Sequence, residues 1–197
     1  MTKICIVRHG ETDWNVLGKI QGRTDIPLNT TGIRQAKECG EFLKTSKWDV
    51  IITSPLKRAK QTAEIINQYL RVPLVEMNEF IERSFGDAEG MDAEERMSAY
   101  PDKNYPNQED SISLEKRLMA GINEINQRYR DSNVLLVTHG AVIHSILSTL
   151  SNREIYSGKE PLLNACISNI HFEQEKWKVK EFNKVSHLSQ YNRIGQK

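Results

Sequence analysis

The sequence predicts an α/β fold: a three-layer α/β/α sandwich around a mostly parallel sheet, with an antiparallel hairpin at the sheet edge. Three short apolar runs, at 4–7, 50–53 and 134–137, have the unbroken hydrophobicity of strands buried on both faces. Between them lie helical stripes: Ile33, Ala36, Gly40 and Leu43; Leu56, Ala59, Ala63, Ile66 and Leu70; then Leu114, Leu118, Ile122, Ile125 and Tyr129. Strands that alternate with helices build a layered sheet covered on both sides. After Pro161 the pattern changes, and 165–172 and 177–182 read as two strands around a polar turn, the expected edge hairpin.

Taken in order, the first helix has Thr30 or Thr31 as its expected cap. The second follows Ser54-Pro55, where serine can cap and proline suits the first turn. Residues 83–110 interrupt the pattern. They are rich in Asp, Glu, Pro and Asn, with helical spacing only around 93–100, and a long insertion of this kind is expected to act as a lid. The stretch 184–197 lacks a period and reads as a loosely held tail.

A length of 197 residues suits a single domain, 1–197. A formal charge of +1 creates no field that would draw the chain to nucleic acid or a membrane surface, so any anion recognition must be local. Cys5, Cys39 and Cys166 are odd in number and widely spaced, as expected of buried free thiols. The amino-terminal residues turn polar at Arg8 after a short apolar stretch, which argues against a signal peptide. No run approaches membrane-spanning length, and a cytoplasmic protein is expected.

Two of the buried strands end alike, in Arg8-His9-Gly10 and Thr138-His139-Gly140. Ligands of open α/β sheets bind beyond the carboxyl ends of strands, so both histidines are expected at one crevice. The remaining strand runs into Ser54-Pro-Leu-Lys-Arg58, which puts Arg58 in the first helical turn, where a guanidinium and a helix amino terminus both favour phosphate oxygens. None of the cysteines has an arginine six residues on, no P-loop is present, and the five histidines lack metal-ligand spacing. His144 falls off the face of His139 and is expected to be structural.

Arg8-His-Gly-Glu-Thr12 with Trp14-Asn15 and Gln21-Gly22 resembles the signature of the histidine phosphatase, or phosphoglycerate-mutase-like, superfamily. Residues 54–63, 82–90 and 138–140 resemble its later blocks in family order, with Ala88 where the third block commonly carries tryptophan. The resemblance implies a phosphoglycerate-mutase-like fold with no cofactor or metal. It implies that His9 forms a phosphohistidine, that Arg8, Arg58 and His139 hold the phosphoryl oxygens, and that Glu82 is proton donor and then base. Asn15, Gln21, Gly22 and Gly140 would complete the substrate pocket by analogy. Physical chemistry agrees with these roles. Nearby arginines disfavour an imidazolium and keep the nucleophile neutral, and fixed cations stabilise the equatorial oxygens of a transferring phosphoryl group.

Water as acceptor makes a phosphatase; a retained second hydroxyl makes a mutase. In 83–110 eight carboxylates face three basic side chains, Arg83, Arg96 and Lys103, and an acidic lid would repel phosphoglycerates. The expectation is therefore a phosphatase of small-molecule phosphomonoesters. A cofactor-dependent phosphoglycerate mutase, and a dedicated α-ribazole or sugar-bisphosphate phosphatase, stand as alternatives.

Overall fold

The computed structural model describes residues 1–155 and 161–192. In chain order the elements are β1 (Lys3–Arg8), α1 (Asp13–Val16), α2 (Thr30–Leu43), β2 (Val50–Thr53), α3 (Lys57–Leu70) and β3 (Leu74–Glu76). Then follow α4 (Ala93–Ala99), α5 (Ser111–Arg128), β4 (Asn133–Thr138), α6 (Gly140–Leu150), β5 (Ile167–Glu173), β6 (Lys176–Lys184) and α7 (Ser189–Asn192).

Alternation within the apolar runs creates the layers, because successive strand side chains point to opposite faces. Ile4, Ile6, Val50, Ile52, Val134 and Leu136 enter one core with α5 and α6. Cys5, Val7, Ile51, Leu135 and Val137 enter the other with α2 and α3. The sheet order is β3-β2-β4-β1-β5-β6. Its first four strands are parallel, and β5 and β6 form the antiparallel hairpin expected at the edge. The edge strand β3 was not foreseen, because three residues are too few to display a period.

Several local expectations are corrected. The buried face of α2 is Gly32, Gln35, Ala36, Cys39, Gly40 and Leu43, while Ile33 is 40% exposed. A Cβ on Gly32 would lie 2.1 Å from the Glu11 carbonyl oxygen, and one on Gly10 would lie 2.5 Å from that of Gly32. The helix therefore meets the loop after β1 backbone to backbone, and glycine rather than isoleucine faces the contact. Asn29, not Thr30 or Thr31, caps α2 by accepting from Gly32 N–H. α3 begins without a side-chain cap, at Leu56, and Ser54 is engaged elsewhere.

The segment 83–110 is more ordered than its composition suggests. Asp92 caps α4 in a capping box with Glu95, and Asp110 caps α5. Asp87 accepts from Asn107, and Asp102 from Asn104 N–H. Glu89 accepts from the backbone N–H groups of Arg23, Thr24 and Phe85 and from the Thr24 hydroxyl. Most of its acids thus serve as caps and turn acceptors, and its net charge says little about what faces the sheet.

All three cysteines are buried and free, and among the described residues no helix is long and apolar enough to cross a membrane. The described part of the tail is docked: Leu188 is fully buried, and Ser189 N–H donates to Glu38 at 3.1 Å. Residues 193–197 lie outside the described residues. Leu188→Ala is expected to cost about 2–5 kcal/mol in urea unfolding, the range for emptying a leucine site. An unchanged midpoint would mean that the tail is loose.

Candidate active site

The parallel register aligns Arg8 with Thr138, and His9 N–H continues it by donating to the Thr138 carbonyl at 2.9 Å. The two strand-end histidines therefore sit side by side, ring centroids 5.3 Å apart. His9 is 2% exposed and its Nδ1 is 2.7 Å from the Gly10 carbonyl. A carbonyl only accepts, so Nδ1 carries the proton and Nε2 keeps its lone pair. His139, fully buried, places Nε2 2.7 Å from Ser54 Oγ, while its Nδ1 has no hydrogen-bond partner among the described residues.

Arg58, 1% exposed, donates from Nη1 to the Thr24 carbonyl at 2.9 Å and from Nη2 to the Gly22 carbonyl at 2.6 Å; its buried Nε has no partner among the described residues. Gly22 turns its carbonyl to this role at φ +52°, and a Cβ there would lie 2.0 Å from a Glu89 carboxylate oxygen. Arg8 donates from Nη1 to the Leu162 carbonyl, and its Nε is likewise buried and unpartnered. A Cβ on Gly140 would lie 3.6 Å from that Nε, which puts the start of α6 against Arg8. Thr62 Oγ donates to the Arg58 carbonyl at 2.7 Å and accepts from Gly10 N–H at 3.0 Å, fastening α3 to the loop after β1.

Asn15 Oδ1 accepts from Thr12 and from Asn164 Nδ2, which also donates to the His9 carbonyl. Gln21 is buried with its Oε1 unpartnered. Glu82, 7% exposed, accepts from Arg83 N–H at 2.9 Å and, at 3.3 Å, from the Ala141 and Val142 N–H groups opening α6.

These groups control one another's protonation. Burial, then Arg58 and Arg8, pushes the His9 pKa well below 6.5. Burial, Arg58, His9 and Arg8 do the same to His139. Burial raises Glu82 above the ordinary carboxyl value and outweighs the opposing pull of Arg58, the Arg83 and Ala141 N–H groups and Arg8. A buried neutral imidazole thus stands beside two guanidinium groups and a carboxyl that resists ionisation.

A cleft of about 980 Å³ opens beside Glu82, lined by Arg83, Phe85, Leu114, Ala141, His144 and Arg153 among others. His144 is half-buried on the wall of this cleft. Among the described residues no group of three or more His, Cys, Asp or Glu side chains is placed to hold a metal ion. Ser54, Thr62, Glu89 and Asn164 were not foreseen as parts of the site. Ser54 reads in sequence as a helix cap and Thr62 as part of the second motif block, and Asn164 carries no signal because its partners are distant in sequence. Ala88 is fully buried, while the Trp14 indole packs over Gly90.

A doubly covered α/β sheet with cationic and imidazole groups buried at its strand ends defines an enzyme scaffold of the phosphoglycerate-mutase-like fold. The chain belongs to the histidine phosphatase superfamily (branch 1), whose model matches residues 4–185. It is 57% identical to an uncharacterized phosphatase, PhoE, of Bacillus subtilis, covering 96% of this chain and 98% of that one. It is 32% identical to a probable phosphoglycerate mutase, GpmB, of Proteus mirabilis, covering 96% of each. The structure of an Entamoeba histolytica phosphoserine phosphatase in complex with 3-phosphoglyceric acid superposes with a TM-score of 0.84, at 31% identity, over 95% of this chain and all of that one.

The depressed histidines carry a stability consequence. In the unfolded chain they titrate near 6.5, and in the folded chain well below it, so acid adds protons to the unfolded state first. Their contribution is present above about pH 6.5 and lost as pH falls below it. Glu82, raised in the fold, acts oppositely: its contribution is present below about pH 4.5 and lost as pH rises through its folded value. His139→Asn should flatten the fall in urea midpoint between about pH 7 and 5; an unchanged slope would remove His139 as its source.

Proposed function

We propose that the protein hydrolyses phosphomonoesters through a covalent phosphohistidine on His9, without a metal or cofactor. One observation carries this reading: among the described residues Arg8 Nε, Arg58 Nε and His139 Nδ1 are buried without partners around a histidine whose Nε2 lone pair is free. Buried polar groups without partners are costly, and three oxygens of a phosphoryl group would satisfy them together. Ser54 Oγ already accepts from Leu56 N–H, so its proton is available to His139 Nε2. That tautomer makes His139 Nδ1 a donor.

In the first step the Nε2 lone pair of His9 attacks phosphorus, the ester P–O bond breaks, and the departing oxygen takes the proton of Glu82. In the second, the Glu82 carboxylate removes a proton from water, whose oxygen displaces His9 Nε2 from phosphorus. Inorganic phosphate leaves, and both groups return to their starting states. The guanidinium groups and His139 stabilise charge on the equatorial oxygens through both displacements. Asn15, Gln21, Gly22 and Gly140 shape the pocket, Gly22 by presenting its carbonyl to Arg58.

Support for water as the acceptor comes from the similarity to PhoE, a protein named as a phosphatase. The charge of 83–110 does not support it, since most of those acids cap helices and turns, and the cleft carries Arg83 and Arg153 against Glu115. Small phosphorylated metabolites of the phosphoserine or phosphoglycerate kind are the substrate class suggested by the relatives. Isomerisation of 3-phosphoglycerate faster than phosphate release would overturn the hydrolytic reading.

His9→Ala should abolish phosphate release and the acid-labile phosphoenzyme trapped by rapid quench. Retained turnover would rule out His9 as nucleophile. Because Glu82 must arrive protonated, kcat/KM should decline as pH rises through its raised pKa. Glu82→Gln should lower kcat/KM for unactivated esters by about 10²–10⁴-fold and erase that decline. A decline that persists in the variant belongs to another group.

A further inference from the structure

The main chain of Glu82 is held by a cluster of charged side chains outside the phosphate pocket. Its carbonyl accepts from Arg23 Nε at 3.2 Å and from Arg117 Nη2 at 3.4 Å. Both arginines converge on Glu109: Arg117 grips it with a fork, Nε to Oε1 at 2.7 Å and Nη2 to Oε2 at 2.8 Å, and Arg23 Nη2 lies 3.4 Å from Oε2. Arg117 Nη1 also donates to the Glu79 carbonyl at 2.6 Å, so one guanidinium spans the turn from 79 to 82. On the other side, Glu109 N–H donates to the Ser84 carbonyl and Arg83 Nε to the Glu109 carbonyl, both at 2.9 Å.

This arrangement is more than a surface ion pair. The Glu109 and Arg117 side chains are only 12% and 20% exposed, and forked charge-assisted bonds fix orientation as well as distance. Burial alone would raise Glu109, but its bonds to Arg117 and the charges of Arg117 and Arg23 hold it below the ordinary carboxyl range. The Glu82 carboxyl accepts at 2.9 Å only from Arg83 N–H on its own segment and reaches the α6 amino terminus at 3.3 Å, long for hydrogen bonds, so its aim depends on where its backbone is fixed.

We propose that Arg117, with Glu109 and Arg23, is a positioning clamp that aims the proton-donating carboxyl of Glu82 at the leaving oxygen. The inference rests on the acid role of Glu82 given above. Three distant parts of the chain meet in the clamp: the loop after α1, the end of the 83–110 segment and α5. Among the described residues its direct bonds go to the Glu82 main chain and not to His9, Arg8, Arg58 or His139, although the Arg117 charge also helps to lower the His139 pKa.

Leaving-group dependence distinguishes such a clamp from a merely structural ion pair. Loss of aim should harm an ester whose alkoxide or phenoxide needs a proton far more than one whose phenolate departs unaided. The experiment measures kcat/KM, which reports phosphoenzyme formation, for phenyl phosphate and p-nitrophenyl phosphate in Arg117→Ala and Glu109→Gln, with folding checked by circular dichroism. The expected result is a loss about tenfold greater for phenyl phosphate than for p-nitrophenyl phosphate. Arg117→Lys, which restores charge without the fork, should recover only part of it. Equal losses on both esters, or no loss, overturn the proposal; if Arg117→Ala does not fold, the milder Glu109→Gln decides by the same criterion. Glu82→Gln run alongside separates the two readings. If Glu82→Gln is itself indifferent to the leaving group, the acid assignment has failed. If it discriminates and the clamp variants do not, the clamp alone has failed.

Discussion

The parallel pairing of β1 with β4 is the constraint on which the rest of the site depends. Its register sets Arg8 opposite Thr138 and delivers the histidine after each strand to the same level. Because strand side chains alternate, a slip of one residue would exchange the residues of β1 between the two cores and separate the histidine rings. Ile4 and Ile6 on one side, and Cys5 and Val7 on the other, therefore hold the site in register as much as they stabilise the fold.

Around this pair the chain keeps positive charge buried without neutralising it. Arg58 is bonded to two backbone carbonyls and Arg8 to a third, and among the described residues neither makes a direct salt bridge to a carboxylate. Carbonyl oxygens fix a guanidinium in place while leaving its charge available to an anion. Arginine suits this role because its planar guanidinium sends two N–H groups to separate carbonyls and keeps Nε–H in the same plane for an anion, whereas a lysine concentrates its donors at one atom. The same cations depress the histidines, so one feature serves both anion binding and the neutrality of His9.

Much of this was legible in sequence, for identifiable reasons. Strands buried on both faces leave unbroken apolar runs, so β1, β2 and β4, and the histidines at two of their ends, could be located directly. The helix start after β2 added Arg58, and the motif blocks added Glu82. Caps were misread where side chains had other partners: Ser54 serves His139, and Asn29 precedes the threonines that looked like caps. Backbone acceptors such as the Gly22, Thr24 and Leu162 carbonyls have no side-chain signature at all. Glu109 and Arg117 carry no distinguishing sequence signal, because the contacts that give them meaning join segments far apart in the chain. Leu188 was missed because a single buried leucine creates no period.

The segment between 83 and 110 is already fastened near its base. Phe85 bridges Gln108, Asp87 N–H bonds the Pro106 carbonyl, and Gly90 and Met91 exchange backbone bonds with Ile20. Beyond those ties, the stretch carrying α4 closes a loop whose ends are held independently of its length. Doubling such a loop costs only about 0.6 kcal/mol in closure entropy. The scaffold can therefore accept insertions or replacements there with little penalty to the buried chemistry, which makes this stretch a natural graft point for evolving or engineering new selectivity.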